Sequence, residues 1–286
     1  VAKIEELFSH IDAGIEALKK AKQLLKQYRQ SVLKAAVTGE LTKGWREANK
    51  DKLEPASKLL ERILKERRQK WEEQQLKQFK AKGKIQKNDK WKEKYKDPEI
   101  SVPKFFPTLD DGWCWLSIES MAASKEHALS SGPFGSALGT KDYLDQGVPV
   151  LRAQNVQVGN FVLENFVYLS EEKAKDLKRS TVRPGDVVIV AVGASAGRPA
   201  VVPPELERAI MSQNFNKVTC DQEIVLPEYL AVYLESVYGQ DQILGKTTDT
   251  ARQFFSLTNY KAIVVPVPLL EEQSRVLFSV REKFDS

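Results

Sequence analysis

The sequence is poor in the residues that build disulfide scaffolds and zinc sites. Its 286 residues include two cysteines and two histidines, too few for a disulfide framework or for a typical zinc site. No apolar run approaches the ~20 residues that a membrane-spanning helix requires. We therefore expect an intracellular, cytoplasmic protein. Its 42% of hydrophobic residues excludes a wholly disordered chain.

Motifs for nucleotide and cofactor chemistry are also missing. The stretch from Gly239 to Gly245, followed by Lys246, has five residues between its glycines, whereas a phosphate-binding loop has four. The dinucleotide pattern G-x-G-x-x-G does not occur. Neither does the Asn/Asp-Pro-Pro-aromatic tetrapeptide that adenine methyltransferases use to hold a flipped base. We therefore predict no catalytic residues, no metal and no cofactor. A binding function is favoured over an enzymatic one.

Charge is unevenly distributed along the chain. The net charge is +5, but residues 1–100 hold 26 basic and 16 acidic residues, while residues 101–286 hold 18 and 23. Such asymmetry indicates a polyanionic or acidic partner for the first part. A solvated helical surface followed by a lysine-rich linker explains it equally well.

Residues 1–37 have the periodicity of one long helix. Apolar side chains recur at spacings of three and four over about five heptads, which is typical of a coiled-coil seam. The helix should end at Thr38-Gly39, because glycine accepts a left-handed cap. At roughly 50 Å long, it needs a partner helix to cover the seam. The predicted helix-pairing seam comprises Ile4, Leu7, Ile11, Leu18, Leu25, Tyr28 and Val32.

The sequence predicts an α+β fold, with a long coiled-coil-type helix plus a globular mixed α/β domain. The expected divisions are a long helix at 1–42, a helical basic segment and linker at 43–109, a globular domain at 110–268 and the start of a second helix at 269–286. Helical stretches should begin at Ser170 and after Pro227. A mixed, twisted sheet is expected from strand-like runs at 113–117, 148–152, 166–169, 186–192, 200–202, 216–219 and 263–267.

Several short motifs follow one another along the chain in a characteristic order. They are Lys34-Ala-Ala-Val-Thr-Gly-Glu-Leu-Thr42, Trp113-Cys-Trp-Leu, Gly132-Pro-Phe-Gly-Ser-Ala-Leu, Gly147-Val-Pro-Val-Leu-Arg-Ala-Gln-Asn-Val156, Val182-Arg-Pro-Gly-Asp-Val-Val-Ile189, Pro227-Glu-Tyr-Leu230 and Val265-Pro-Val-Pro-Leu-Leu-Glu-Glu-Gln273. Together these motifs resemble the specificity subunits of type I restriction–modification systems. The globular domain resembles their target-recognition domain, and residues 1–42 resemble their spacer helix. In the closing motif, Leu269 stands where the family usually has the second proline of a Pro-Pro pair.

The resemblance implies a DNA-binding subunit without chemistry of its own. A complete specificity subunit carries two recognition domains on two long antiparallel helices. Each domain reads one half of a split double-stranded target, and the helices dock the methyltransferase (modification) subunits. The restriction subunit joins through the complex. This chain has one spacer helix and one recognition domain. It is therefore expected to be a fragment of a two-domain subunit, or a half-subunit that pairs with a second copy.

Candidate DNA contacts are polar residues beside turn-forming residues, since groove readout needs such side chains on exposed loops. For each one, a structural turn or a plain surface charge is the alternative. The recognition domain has 14 basic and 17 acidic residues between Trp113 and Pro268, so its positive charge must be concentrated on one face. The candidates are Ser136, Lys141, Arg152, Gln154, Asn155, Ser195, Arg198, Lys246, Thr247, Thr248 and Arg252.

Two other functions remain open on the sequence alone. A coiled-coil scaffold whose globular domain binds protein would show no salt-dependent affinity for DNA. An enzyme is the third possibility, and a cofactor bound to this chain alone would favour it.

Overall fold

The computed structural model describes residues 2–83, 88–104, 106–109, 112–245 and 255–285. Its α-helices are α1 Ala2–Val37, α2 Lys43–Ala48, α3 Ala56–Ala81, α4 Ile118–Met121, α5 Glu171–Asp176, α6 Pro227–Glu235, α7 Val237–Leu244, α8 Leu257–Lys261 and α9 Leu270–Asp285. Its strands are β1 Cys114–Ser117, β2 Leu129–Ser131, β3 Val148–Leu151, β4 Val156–Gln157, β5 Asn160–Phe161, β6 Val167–Leu169, β7 Thr181–Val182, β8 Asp186–Val190, β9 Pro199–Val201, β10 Ala209–Met211, β11 Phe215–Thr219 and β12 Val264–Val267. The predicted α+β class, a long helix plus a mixed globular domain, is confirmed.

The long helix α1 projects from the rest of the molecule over most of its length. Its described side chains are exposed from Lys3 to Gln27, and burial begins only in its last turns, at Val32 and Leu33. The helix ends one residue before the predicted Thr38-Gly39 stop, and Gly39 has the left-handed φ of +77°. No helix within the described ranges is long and apolar enough to cross a membrane.

One hydrophobic core joins the end of α1, the first half of α3 and the globular domain. Val37 of α1, Ile63 of α3, Leu116 of β1 and Val276 of α9 belong to the same buried cluster, together with Tyr229 of α6. The helical part of segment 43–109 therefore packs on the globular domain through Leu59 and Ile63, because both side chains are apolar and lie on one face of α3.

Part of the lysine-rich stretch expected to be a hydrated linker folds back instead. Trp91 is 7% exposed and stacks on Trp71 of α3 with ring centroids 5.9 Å apart. Phe79 and Tyr95 complete this aromatic cluster. Aromatic packing of this kind outweighs the preference of the neighbouring lysines for an extended chain.

In the part of the chain that the structure describes, the strands form two four-stranded sheets and two strand pairs, rather than the single mixed sheet expected. The sheet orders are β6-β3-β10-β7 and β2-β11-β8-β9, and β1 pairs with β12 and β4 with β5. Within the described residues, β3 and β10 form a parallel pair and the other named pairs are antiparallel. The strands divide into two sheets because the chain changes sheet at the tight turn formed by residues 212–214. It leaves one sheet at the end of β10 and enters the other at the start of β11.

The single helical stretch expected after Pro227 is two helices, α6 and α7, which are separated at Ser236. Its backbone is extended, and its hydroxyl caps α7 by accepting a hydrogen bond from the Gly239 N–H. A Cβ atom on Gly239 would lie 2.3 Å from the Tyr233 carbonyl oxygen. The glycine therefore permits a close approach of the two helices. Gly239 and Gly245 both lie on or at the end of α7, which places no phosphate loop there.

Candidate nucleic-acid interface

The ends of four strands meet at the turn formed by residues 212–214. The Ser212 N–H donates to the Leu151 carbonyl at the end of β3, at 2.9 Å, and the Ala191 N–H after β8 donates to Asn214, at 2.6 Å. The Gly132 N–H after β2 donates to Phe215, at 2.9 Å. These bonds bring loops from both four-stranded sheets to one end of the domain.

The starts of three antiparallel neighbours lie at the same end. The Ser180 hydroxyl, just before β7, donates to the Ser131 carbonyl at 3.1 Å, and the Val190 N–H donates to Arg198, just before β9, at 2.9 Å. The Arg152 guanidinium donates to the Asn165 carbonyl before β6. We call residues 131–141, 152–156, 177–180, 191–199 and 212–214 the strand-end face.

Gly132 sets how closely two loops of this face approach. A Cβ atom at this position would lie 1.9 Å from the Ser212 carbonyl oxygen and 2.9 Å from the Cα of Gln213. Both contacts are with backbone, which cannot move aside as a flexible side chain can. Glycine is therefore required here, and it seats the loop at 132–139 directly against the turn that carries Gln213.

The strand-end face is basic although the domain as a whole is acidic. Its segments contain five basic residues and no acidic residue. Asp142, next to the face, contacts Lys173 at 3.3 Å, and a hydrogen bond from the Gly139 N–H lowers its pKa. Positive charge is thus concentrated where the candidate loops converge. The basic residues are Lys141, Arg152, Lys178, Arg179 and Arg198.

Sequence reasoning missed three residues of this face. Lys178 and Arg179 are exposed just before β7, and Gln213 is exposed at the turn. Their position depends on strand pairing, since Thr181 lies opposite Ile210 of β10. Turn residues flanking a short strand were the available signal, but only the pairing shows which end of the sheet they occupy.

The predicted candidates differ in how freely their side chains reach solvent. Ser136, Lys141 and Gln154 are exposed, whereas Arg152, Ser195 and Arg198 are half-buried. Gln154 donates to the Asn165 carbonyl at 3.3 Å, the same acceptor that Arg152 uses. Four further candidates lie outside the described residues: Lys246, Thr247, Thr248 and Arg252.

Asn155 is the candidate that the fold turns inward. Its side chain is buried, its amide nitrogen donates to Val162 and Glu164 at 3.0 and 2.9 Å, and its oxygen accepts from the Arg152 N–H at 3.0 Å. These bonds fix the loop that presents Arg152 and Gln154. The observed contacts of Asn155 are therefore those of a residue that stabilises a turn, which was the alternative to a DNA contact.

The helix-pairing seam is open along most of α1. The exposed fractions of its side chains rise to 72% at Leu18. Val32 is the exception at 5%, because α1 meets the domain there. The Tyr28 hydroxyl donates to the Lys283 carbonyl at 3.1 Å, and Thr42, beyond the end of α1, donates to Glu272 near the start of α9, so α9 runs antiparallel to the end of α1. The exposed members are Ile4, Leu7, Ile11, Leu18, Leu25 and Tyr28.

Two motifs from opposite ends of the chain meet where α1 joins the domain. Thr42 donates to the Glu272 carboxylate at 2.7 Å, and the Arg46 guanidinium binds the same oxygen. Arg46 also donates to the Gly39 carbonyl at 2.8 Å. Next to Glu272, the Gln273 side chain donates to Ile224 and Pro268, both at 2.9 Å. The closing motif therefore fixes the segment that follows the long helix.

The opposite end of the second sheet carries a buried ion pair at the edge of a cleft. Lys217 contacts Asp186 at 2.9 Å, and both side chains are less than a tenth exposed. Burial lowers the pKa of Lys217, and the Asp186 carboxylate opposes that shift. Cations and anions both line the cleft, including Lys70, which contacts Asp221 at 2.8 Å. This balance favours no charged ligand.

Within the part of the chain that the structure describes, no group of three or more His, Cys, Asp or Glu side chains is placed to hold a metal ion. The two cysteines are buried, and burial raises the pKa of each thiol to about 12. Both thiols are therefore protonated near neutral pH, which makes them poor nucleophiles.

The sequence of the chain is similar to specificity subunits of type I restriction enzymes. It is 24% identical to the type I restriction enzyme EcoBI specificity subunit of Escherichia coli, over 99% of this chain and 48% of that protein. It is 23% identical to the EcoKI specificity subunit of Escherichia coli strain K12, over 99% of this chain and 47% of that protein. No family model matches the chain.

Two solved structures are also similar in part. The HsdS subunit from Thermoanaerobacter tengcongensis has a TM-score of 0.43 at 16% identity, covering 64% of this chain and 40% of that chain. The type I restriction-modification S subunit from M. genitalium has a TM-score of 0.42 at 13% identity, covering 61% and 39%. The chain spans about half the length of the relatives that it matches by sequence. Over nearly its whole length, the chain is similar to about half the length of the type I restriction enzyme specificity subunits of Escherichia coli.

Proposed function

We propose that this chain is half of a DNA specificity subunit, that its globular domain reads one half of a bipartite double-stranded target, and that it performs no chemistry itself. The observation that carries the proposal is the strand-end face. Polar loops from two sheets converge there with five basic residues and no acidic one. The end-to-end similarity to specificity subunits supports the same function.

Phosphate binding and base reading are assigned to different side chains of the face. Lys141, Lys178 and Arg179 are exposed cations suited to phosphate oxygens, which position a protein on DNA without reading sequence. Gln154 and Gln213 are exposed amides with both donors and acceptors, and such amides pair with adenine edges in the major groove. The half-target is read by these amides and by neighbouring polar side chains.

The long helix is proposed to set the distance to a second recognition domain. Its 36 residues span roughly 50 Å, which corresponds to about 15 base pairs of duplex. The exposed seam of α1 pairs with a helix of a second half, either another copy or the rest of a longer subunit. The paired helices dock the type I methyltransferase subunits, and the restriction subunit joins through that complex.

Reconstitution with a type I adenine methyltransferase subunit tests this function. We expect the chain to co-purify with that subunit and to direct methylation to one split sequence, identified by mapping methylated adenines. Changing Gln154 and Gln213 together to Ala should relax the preference at specific base pairs. Gln222→Ala, an exposed amide at the opposite end of the sheet, is the matched control. Methylation without sequence preference would reject the proposal, and DNA affinity that is absent or independent of salt would favour a protein-binding scaffold.

A further inference from the structure

An aromatic side chain stands exposed in the middle of this basic, polar surface. Phe134 lies in the loop at 132–139 and is 68% exposed. The other large apolar side chains among the described residues of the strand-end face are buried or half-buried. Exposure of a phenyl ring to water is unfavourable, so a partner that covers the ring would gain free energy from its burial.

The backbone holds this ring outward. Gly132 anchors the loop against the Ser212 carbonyl, and Pro133 is buried with its φ fixed by the pyrrolidine ring. Phe134 itself is extended, with φ −96° and ψ 151°, and Gly135 then turns the chain with a φ of +56°. The side chain is therefore preorganised rather than left over from a flexible loop.

The surroundings of the ring favour a nucleic acid over a protein as its partner. Gln213 adjoins the same loop through Gly132, and Lys178 and Arg179 adjoin it through the bond from Ser180 to Ser131. A duplex held by these cations would place the base-pair edges of one groove against the loop. The faces of the base pairs are the apolar surface that such a polyanion offers to an inserted side chain.

We propose that Phe134 inserts its ring between two adjacent base pairs of the bound half-target and partly unstacks them. This inference rests on the proposed DNA-reading function. Insertion of an apolar wedge kinks the duplex, and pyrimidine–purine steps unstack most easily. Phe134 thereby makes the sequence of that step part of what the domain recognises, without a hydrogen bond to either base.

Fluorescence of 2-aminopurine in the half-target tests the insertion. The chain is assembled with its methyltransferase subunit and added to duplexes that carry 2-aminopurine at successive adenine positions. Unstacking should raise the fluorescence several-fold at one step with the unchanged chain, in addition to the rise at the target adenine that the methyltransferase subunit flips. In Phe134→Ala the rise at that step should disappear and affinity should fall, while the rise at the flipped adenine remains. The slope of affinity against salt should stay the same because the phosphate contacts remain.

Two further variants separate insertion from loss of folding. Phe134→Leu keeps an apolar wedge and should retain part of the fluorescence rise. Val158→Ala removes apolar surface that is 60% exposed outside the strand-end face and should change neither signal. A Phe134→Ala complex that keeps the full rise and binds within twofold of the unchanged chain would overturn the inference. So would a loss of methyltransferase binding in place of the fluorescence change. An unchanged chain that binds DNA without sequence preference would instead reject the proposed function.

Discussion

At the scale of single residues, Glu272 shows how one buried carboxylate holds distant parts of the chain together. It has no solvent exposure and binds Thr42 and Arg46 beyond the end of α1. Arg46 also lies over the Trp113 ring at 5.7 Å. A buried charge that keeps its partner is tolerated, but one that loses its partner is strongly unfavourable.

Arg46→Ala is therefore expected to lower the free energy of unfolding by about 3–5 kcal/mol. Urea denaturation followed by circular dichroism measures the change. Lys19→Ala is the control, because it removes an ion pair with Glu16 whose side chains are both more than 60% exposed, and such pairs contribute less than about 1 kcal/mol. Equal effects of the two substitutions would contradict a locking role for Arg46.

The two buried thiols predict how stability responds to alkaline pH. Burial raises the pKa of Cys114 and of Cys220 from 9.0 to about 12, so the unfolded chain releases these protons first. Their contribution is complete below pH 9 and is lost as pH rises from 9 toward 12. The lowered pKa of Lys217 acts in the opposite direction, and the raised pKa of Tyr229, Tyr233 and Tyr260 adds to the loss.

A Cys114→Ala/Cys220→Ala double variant isolates the thiols from these other groups. Between pH 9 and 10, its free energy of unfolding should fall less steeply than that of the unchanged chain, by at most about 1.4 kcal/mol per thiol for each pH unit. Urea midpoints at several pH values measure both slopes. In the unchanged chain, Ellman's reagent should react with the thiols only after denaturation. Rapid reaction in the folded protein would show that the thiols are accessible.

At the scale of elements, sequence predicts what local patterns determine. The long helix follows from apolar spacing over residues 1–37, and its end follows from Gly39, which has a positive φ. The Ser170 cap of α5 is likewise local, since its hydroxyl accepts from the Lys173 N–H three residues on. Such features need no knowledge of the tertiary fold.

Features that depend on contacts between distant segments could not be predicted from the sequence. The lysines around Trp91 suggested a hydrated linker, but the ring packs against Trp71, which lies on another element. Asn155 has a side chain of the kind that contacts DNA bases, yet its amide forms hydrogen bonds within its own loop. Lys178 and Arg179 join the strand-end face because β7 pairs with β10. Each of these outcomes depends on which segments the fold brings together.

The exposed seam of α1 makes a prediction at the same scale. A row of apolar side chains along one helix face favours association with another helix. We expect the chain to self-associate through α1, and Leu7→Asp/Leu18→Asp should return it to monomers. Sedimentation velocity over a range of concentrations measures the equilibrium. Lys20→Asp/Gln27→Asp, on the opposite side of the helix, is the control. Monomers of the unchanged chain at every concentration would contradict pairing of this seam between copies.

At the scale of the whole molecule, the distribution of charge makes the proposed binding of a polyanion compatible with an acidic domain. The globular domain has an excess of acidic residues, but none of them lies in the segments of the strand-end face. Acidic residues elsewhere pair with cations, as Asp186 does with Lys217 and Glu235 with Arg29. If the domain binds DNA as proposed, this distribution would attract the duplex to one end of the domain and repel it from the other surfaces.

This segregation predicts how DNA binding depends on salt. Each phosphate that a cation contacts releases condensed counterions, which contributes about −0.9 to the slope of log affinity against log salt concentration. Lys178→Glu/Arg179→Glu should therefore weaken binding by a similar factor for all sequences and make the slope less steep by about 2. Fluorescence anisotropy with specific and scrambled duplexes, measured on the complex with the methyltransferase subunit, gives both quantities. Lys58→Glu changes an exposed lysine on α3, outside the strand-end face, and should leave the slope nearly unchanged. Equal effects of the two changes would mean that DNA responds to the total charge of the chain rather than to the place where the fold concentrates it.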